Sequence, residues 1–467
     1  MRGYFILLGI FMWIPILIFK PHVGILVWNW ISHMVPQGNA PNIQHLPLLD
    51  SVAVLTLAGL FISKEPRKMP MHPIFMAMLI FYVWTIFTTI FAGNPGASGK
   101  FVHLTKILFF VTMTVIVMQS PLRLRAYYWI MGLSMAFYAI KGGLFLVITG
   151  GAGIVKGGGG MLADRNQLAM ALSMTIPIAY YLYLHPPHRL LKLPMLGSVV
   201  LTFLSVIGTQ SRGGLIAGLS VMGMLFLNVK KKMLVIGLTV PLLFLGYQFL
   251  PDHIKNRYQT IDTAAEEDSS FQGRVVMWKY AVNLTEDYPI MGGGFLSNYY
   301  KPYQARFMPF GHEPLAYHSV YFEVLGEHGY VGLFLFLTII FTSWFSAGTT
   351  YSILKQHKDL MWLADMAKTL RLSVLAYSVG GLTVNISTLD YFYDMSCLII
   401  LVHIIGMKIL SARETTESTF NPFDVKEKHL FHKEQEREIV EEDDKDNPYN
   451  LRPKKKKKKW SPHGGDG

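Results

Sequence analysis

Long uninterrupted runs of apolar residues are the feature that most constrains the fold of this chain. A helix needs about 20 mostly apolar residues to cross a lipid bilayer, and twelve stretches approach that length. They lie near 4–20, 45–63, 72–92, 102–119, 127–149, 166–184, 194–209, 213–228, 232–250, 319–346, 372–389 and 391–410. The sequence therefore predicts an all-α polytopic membrane protein with about 12 transmembrane helices.

The composition of the 467 residues agrees with this fold class. Hydrophobic residues make up 51% of the chain and charged residues only 15%, whereas soluble domains carry about 25% charged residues. The single cysteine, Cys397, excludes an intramolecular disulfide, a thiolate zinc cluster and an iron–sulfur site. We therefore expect neither redox chemistry nor a cofactor.

The net charge of +12 is explained by membrane topology, so it does not indicate a nucleic-acid partner. Basic residues gather in short loops, which membrane proteins hold on the cytoplasmic side. The loops with Arg123 and Arg125, with Arg189 and Lys192, and at 230–232 alternate correctly with twelve spans. Both termini are then cytoplasmic, and membrane lipids are the expected surroundings.

Two parts of the chain stand apart from the hydrophobic runs. The loop 251–318 has 68 residues, and connections of this length usually carry a function or their own structure. The same topology places this loop on the side opposite the cytoplasm, and the sequence predicts a helix near 273–284 within it. The tail 411–467 is highly charged and is predicted to be disordered and cytosolic. The predicted domains are therefore a membrane domain, 1–410, and this tail.

Three arginines on the predicted outer side are the first candidates for chemistry. Arg212 lies in Gln-Ser-Arg-Gly-Gly at a tight turn, Arg165 follows Asp164 at a helix start, and Arg274 begins the helical part of the long loop. Charges near membrane depth are costly, and the planar guanidinium suits a phosphate or diphosphate. The alternative is that each arginine only anchors a helix end at the interface.

His318 is the candidate base, because an imidazole exchanges protons near neutral pH. It lies in Ala-Tyr-His-Ser where the long loop meets the next helix, and Glu323 and Glu327 follow near the outer end of that helix, where they are expected to orient a basic partner. A loop histidine is by default a solvated side chain. Its position on the same side as the three arginines favours a functional role.

Other motifs do not support a site. The glycine runs 157–160 and 292–294 lack the Lys-Ser/Thr of a phosphate-binding loop, so we predict flexible external loops. Asp390 and Asp394 are four residues apart, but two carboxylates without a histidine or a third acid make a weak metal site. We therefore predict no metal.

Four short motifs resemble those of a known family. They are Asp164-Arg165-Asn166, Gln210-Ser211-Arg212-Gly213-Gly214, Gly273-Arg274 with Trp278, and Tyr317-His318-Ser319 through Glu327-His328-Gly329-Tyr330. Together they resemble the O-antigen ligase family of bacterial inner-membrane glycosyltransferases, and in particular the branch described as O-glycosylation ligases associated with exosortase systems. The resemblance covers roughly residues 160–345 and the twelve-helix plan.

The resemblance implies a GT-C-like, metal-independent and inverting enzyme with a periplasmic active site. Such an enzyme moves a glycan from undecaprenyl diphosphate to an acceptor hydroxyl, which in lipopolysaccharide ligases belongs to a sugar of the lipid A core. By the same resemblance, Arg212 and Arg274 hold the diphosphate and His318 deprotonates or orients the acceptor. The further substrate-binding residues predicted are Arg165, Asn166, Tyr317 and Glu323.

Three other functions remain open at this stage. A polymerase that joins carrier-linked repeat units, or a transferase acting on a protein hydroxyl, would use the same fold and donor. A twelve-helix transporter or flippase is the non-enzymatic alternative. Transporters usually show internal repeats with a midplane site, whereas the candidate residues here gather on one side, which favours an enzyme.

Overall fold

The computed structural model describes residues 2–63, 65, 69–227 and 269–418. Within these ranges the chain forms fourteen α-helices, joined by short turns and 3₁₀ segments. They are α1 (Arg2–Phe19), α2 (Pro21–Met34), α3 (Leu48–Ile62), α4 (Pro73–Phe91), α5 (Ala97–Val117), α6 (Pro121–Thr149), α7 (Arg165–Leu184), α8 (Lys192–Gly208), α9 (Arg212–Leu227), α10 (Ser269–Asp287), α11 (Lys301–Phe307), α12 (Val320–Leu354), α13 (Met361–Gly380) and α14 (Asp390–Ser418).

The all-helical fold class is confirmed for the described part of the chain, but the count of twelve spans is not. Seven helical segments in those ranges are long and apolar enough to cross a membrane, and α3 and α9 are shorter apolar helices. The predicted span 232–250, the start of the long loop and the tail beyond Ser418 lie outside the described residues. The described residues as far as Met407 form one compact unit.

Helix α7 is the centre of the helical bundle. It packs against α6, α8, α9 and α13, and 78% of its apolar stretch is buried. Its hydroxyl side chains are satisfied inside the protein: Ser173 Oγ donates to the carbonyl of Ala169 at 2.7 Å, and Thr175 Oγ1 donates to that of Ala171 at 2.6 Å. A helix held on several sides positions the residues at its N-terminus firmly.

The predicted span 372–389 has wrong boundaries. Helix α13 ends at Gly380, and residues 381–389 form turns before α14 begins at Asp390. The helix begins at Met361, earlier than predicted, because the more polar stretch 361–371 is also helical. At the end of this stretch, the Arg371 guanidinium lies 4.1 Å from the ring centroid of Trp344. Apolar residues continue after Gly380, so a prediction from hydropathy alone places the end of the helix too late in the chain.

The glycine run 292–294 is not a flexible loop. Helix α12 is broken at Gly329, where φ is +69° and ψ is −171°, and the break frees carbonyl groups of the preceding turn. The amides of Gly293 and Gly294 donate to the carbonyls of Gly326 and Glu327 at 2.9 and 2.8 Å. The run therefore fastens the end of the long loop to the kink of α12.

The glycine run 157–160 also makes close contacts and is not the flexible loop that the sequence predicts. A Cβ atom on Gly38 would lie 2.0 Å from the carbonyl oxygen of Gly158, and the Gly158 amide donates to the hydroxyl of Tyr138 at 3.2 Å. The glycines allow the two backbones to touch.

Candidate active site

His318 lies in the turn between the long loop and α12, in a backbone conformation that its residue type rarely adopts. Its φ is +52°, a left-handed value that is uncommon for a residue with a side chain. The His318 backbone N–H donates to Oδ1 of Asn385, in the 381–389 segment. This bond holds the strained turn, and therefore the imidazole, in place.

Two charged groups act on the His318 imidazole. Burial is the main cause that lowers its pKa below the usual 6.5, the positive charge of Arg274 lowers it further, and the carboxylate of Asp164 opposes both. The structure thus brings Arg274 and Asp164, 110 residues apart in the sequence, to the same histidine. At neutral pH the imidazole is mainly uncharged, which is the form that accepts a proton.

Helix α10 places Arg274 toward His318. The predicted helix near 273–284 is confirmed within Ser269–Asp287. Trp278 lies one helical turn after Arg274 and therefore on the same face. Its indole Nε1 donates to the carbonyl of Tyr317 at 3.0 Å, and its ring stacks on Phe322 with centroids 5.0 Å apart. The tryptophan thus docks this face of α10 beside the residue that precedes His318.

Asp164 and Arg165 stand at the start of α7. Oδ1 of Asp164 accepts from the backbone amides of Asn166 and Gln167 at 2.8 and 3.1 Å, so Asp164 is the N-cap of α7. The Gln167 side-chain amide donates to the carbonyl of Asn385 at 3.1 Å. The same asparagine therefore links the start of α7 to the backbone of His318.

Arg212 is the first residue of α9 and follows the predicted tight turn. Ser211 Oγ accepts from the amide of Gly214 at 3.2 Å, so it caps the helix. A Cβ atom on Gly213 would lie 1.8 Å from Oγ1 of Thr383, and one on Gly214 would lie 2.3 Å from Cβ of Ala169. The glycine pair therefore lets the helix that carries Arg212 touch both α7 and the 381–389 segment.

The 381–389 segment is the part of the site that sequence reasoning missed. It contacts the start of α9 through Thr383, and it bonds to His318 and Gln167 through Asn385. The signal was present, because Asn385, Ser387 and Thr388 interrupt the apolar residues there. A hydropathy scan averages these polar residues with their apolar neighbours, so it predicts the segment as part of a membrane span.

Glu323 and Glu327 have the expected basic partner, which is Lys100 of α5. Lys100 Nζ lies 2.6 Å from Oε1 of Glu323 and 2.7 Å from Oε2 of Glu327. Glu323 also accepts from the amide of Ser387 at 3.1 Å, and Glu327 from that of Leu296 at 2.9 Å. Their side chains are 5% and 1% exposed, so this cluster holds the segments around the site together.

Tyr317 is placed in the protein core and not on the wall of the site. Its side chain is 1% exposed, and its hydroxyl lies 2.7 Å from Ser297 Oγ. Glu323 is equally enclosed by its partners. Both side chains are enclosed by protein in this structure, and their contact with substrate stays a prediction.

The carboxylates of Asp390 and Asp394 point to different partners. Asp394 accepts from Asn29 at 3.0 Å and from the Tyr127 hydroxyl at 2.9 Å, whereas Asp390 accepts from Ser32. Across the described ranges, no three His, Cys, Asp or Glu side chains are grouped as a metal site requires. The absence of a metal remains a prediction that chelation tests.

Comparison with known families gives two matches. Residues 1–186, which include Arg165 and Asn166, match the model described as Family of unknown function (DUF5935). Residues 197–337, which include Arg212, Arg274 and His318, match the model described as O-Antigen ligase. A search of the curated proteins found no match. The predicted resemblance to the O-antigen ligase family is therefore confirmed over residues 197–337, and it supports an O-antigen ligase or a related glycan-transferring membrane enzyme.

Proposed function

We propose that this protein transfers a glycan from a polyprenyl diphosphate, undecaprenyl diphosphate by the family resemblance, to an acceptor hydroxyl, with His318 as the base. The observation that carries the proposal is the convergence on His318 of Arg274, Asp164 and Asn385, which come from three distant parts of the chain. Arg212 begins a helix that packs on the same 381–389 segment. A shielded imidazole beside the Arg274 guanidinium suits the attack of a hydroxyl on a diphosphate-linked sugar.

In the proposed reaction, the acceptor oxygen attacks the anomeric carbon while the bond from that carbon to the diphosphate oxygen breaks. The proton of the acceptor hydroxyl passes to the His318 imidazole, and the bonding electrons leave with the polyprenyl diphosphate. Arg212 and Arg274 stabilise the negative charge that develops there, as prearranged cations do in a water-poor site. Attack from the face opposite the leaving group inverts the configuration.

Arg165 and Asn166 are proposed as secondary contacts to the substrate. Arg165 is the first residue of α7 and adjoins Asp164, which is close enough to His318 to affect its pKa. A third guanidinium near the donor extends the positive surface toward the glycan. Asn166 is half-buried, and its side-chain amide is a suitable partner for sugar hydroxyls.

We place the active site on the periplasmic side of a bacterial inner membrane, with a GT-C-like arrangement of helices. The support is the distribution of charge, because Arg123, Arg125 and His185 lie at the ends of helices opposite to His318. Basic residues favour the cytoplasmic side. The donor glycan would then be presented from the outer leaflet.

The test is product identity in a reconstituted reaction. Purified protein is incubated with a polyprenyl-diphosphate glycan and, in separate reactions, with lipid A-core, with a second carrier-linked glycan and with a hydroxyl-containing protein. We expect transfer to lipid A-core and no loss of rate in EDTA. Elongation of the carrier-linked glycan identifies a polymerase instead, glycosylated protein identifies a protein transferase, and no product with any acceptor rejects the proposal.

A further inference from the structure

We propose that a cavity connected to the His318 site by short stretches of chain binds a sugar residue of one of the two substrates. The cavity has a volume of about 420 Å³, which is within the range of roughly 300–1,000 Å³ typical of small-molecule sites. Its walls come from residues 31–49, from His103, from the glycine run 158–160 and from Asp390. The inference rests on the proposed function, because it identifies where part of a glycan substrate is held.

The lining chemistry favours a neutral molecule rich in hydroxyl groups. Asp390, Gln37, Gln44 and His103 supply a carboxylate, two amides and an imidazole, and no lysine or arginine of the described ranges lines the cavity. An anion would meet the Asp390 carboxylate without a compensating cation from these walls. A metal ion would find a single carboxylate there, which is too few for a hard cation. Sugar hydroxyls donate to all of these acceptors and also accept from the amides.

The Gln37 side chain gives a second reason to expect a bound sugar in the cavity. Its Oε1 atom is shielded from solvent and has no hydrogen-bond donor among the described residues. A shielded carbonyl oxygen without a donor costs free energy, and it lies on a segment that lines the cavity. By contrast, the Gln44 amide is already used, because its Nε2 donates to the carbonyl of Gly38 at 3.0 Å. Rotation of the Gln37 side chain would turn this oxygen into the cavity, where a sugar hydroxyl can donate to it.

The cavity and the candidate active site are connected by two short stretches of chain. Asp390 directly follows the 381–389 segment, whose Asn385 binds His318, and His103 Nε2 lies 3.3 Å from the carbonyl of Thr388. On the other side, Gly160 precedes Asp164 by four residues. A sugar in the cavity therefore belongs to a chain whose reactive end lies at His318. Most residues that line the cavity lie within residues 1–186, which match the family of unknown function. The proposed subsite therefore assigns a role to that part of the chain.

The cleanest variant is Gln37→Met, which removes the carbonyl oxygen while keeping the length of the side chain. Because this oxygen has no partner among the described residues, the change leaves folding intact. Asp390→Asn is the second variant, because it removes the carboxylate charge while keeping the size of the side chain. The matched control is Gln356→Met, because Gln356 is exposed after the opposite end of α12.

The kinetic readout separates the two possible sources of the sugar. The rate is measured against donor at saturating acceptor, and against acceptor at saturating donor. Each cavity variant is expected to raise KM for one substrate about three- to tenfold, as expected for one lost hydrogen bond, with kcat unchanged. The affected substrate identifies the source. Unchanged KM for both substrates in both variants, or an effect confined to kcat, overturns the proposal.

A binding experiment keeps this test separate from the proposed reaction. The probes are two soluble oligosaccharides: the glycan freed from its carrier diphosphate by mild acid, and the core oligosaccharide freed from lipid A. Saturation-transfer NMR with the full-length protein in lipid nanodiscs needs no turnover. We expect the wild type and Gln356→Met to bind one probe and both cavity variants to lose it. No binding by the wild type, or equal binding by all four proteins, contradicts the subsite even where transfer is observed.

Discussion

The His318 imidazole and the His318 backbone are held by different neighbours. Asn385 accepts from the backbone amide and so fixes the left-handed turn, whereas Arg274 and Asp164 set the charge around the ring. Residues kept in a rare conformation are often found at functional sites. Sequence patterns identified His318 and Arg274 as site residues, whereas Asp164 appeared only as part of a motif. Asn385 was missed because the hydropathy pattern places it in a membrane span.

The first prediction concerns the pH dependence of transfer. Burial and Arg274 lower the pKa of His318 while Asp164 raises it, so Asp164→Asn removes the only one of these influences that favours the protonated form. The pKa of His318 falls further, and the acid limb of kcat/KM, which reports the free base, moves to lower pH. Asparagine remains a good N-cap for α7, so the fold is retained.

The measurement is a profile of kcat/KM against pH for the wild type and Asp164→Asn. Glu313→Gln serves as the control, because Glu313 is an exposed carboxylate of the same loop and is expected to leave the profile in place. A movement of the acid limb to higher pH in Asp164→Asn, or no movement, would show that His318 is not the titrating base.

At the scale of helices, the site depends on a buried ionic cluster between α5 and α12. Lys100 is bonded to both Glu323 and Glu327, and each glutamate also accepts from a backbone amide of a neighbouring turn. Four segments therefore meet at three side chains. Removing one member of a buried ion pair costs about 3–5 kcal/mol, because the remaining charge is left uncompensated.

We therefore expect Lys100→Met to lower the free energy of unfolding by about 3–5 kcal/mol. Replacing the cluster as a whole, with Glu323→Gln and Glu327→Gln added, is expected to restore most of this loss, because no buried charge then remains. The measurement is thermal unfolding in detergent, and Lys301→Met, at the exposed start of α11, is the control. Equal stability of Lys100→Met and the wild type would contradict the role of the cluster.

Helices were easier to predict than the turns between them. The run 72–92 corresponds to α4, and 166–184 to α7, because a buried helix and its hydropathy pattern end together. The span 372–389 failed because apolar residues continue past Gly380 into turns that are enclosed by protein. The same applies to the run 292–294, whose bonds to α12 depend on a break at Gly329 that its sequence does not specify.

At the scale of the whole molecule, the charged loops and the candidate site lie at opposite ends of the helices. One set of ends carries Arg123, bonded to Glu65 at 2.7 Å, and His185, bonded to Asp365 at 2.9 Å. The other set carries Arg212, His318 and the 381–389 segment. The positive-inside rule then predicts that His318 faces the periplasm.

Cysteine labelling tests this orientation. Cys397, the single native cysteine, is buried, so the wild type provides a low background. We expect Glu313→Cys to react with a membrane-impermeant maleimide in spheroplasts, whereas Gln356→Cys reacts only after the membrane is permeabilised. Both positions are exposed. The reverse pattern would place the site on the cytoplasmic side and contradict the proposed direction of transfer.

The most direct test of the central claim is the single-turnover rate of glycan transfer from a polyprenyl-diphosphate donor by the His318→Ala protein. Its matched control is His312→Ala, because His312 is an exposed histidine in the same loop. General-base catalysis contributes about 10²–10⁴-fold, so we predict a loss of that size for His318→Ala in a protein that remains folded, with Arg212→Ala and Arg274→Ala also inactive. His312→Ala keeps the wild-type rate. A single-turnover rate of His318→Ala equal to that of the wild type would contradict the assignment of His318 as the base.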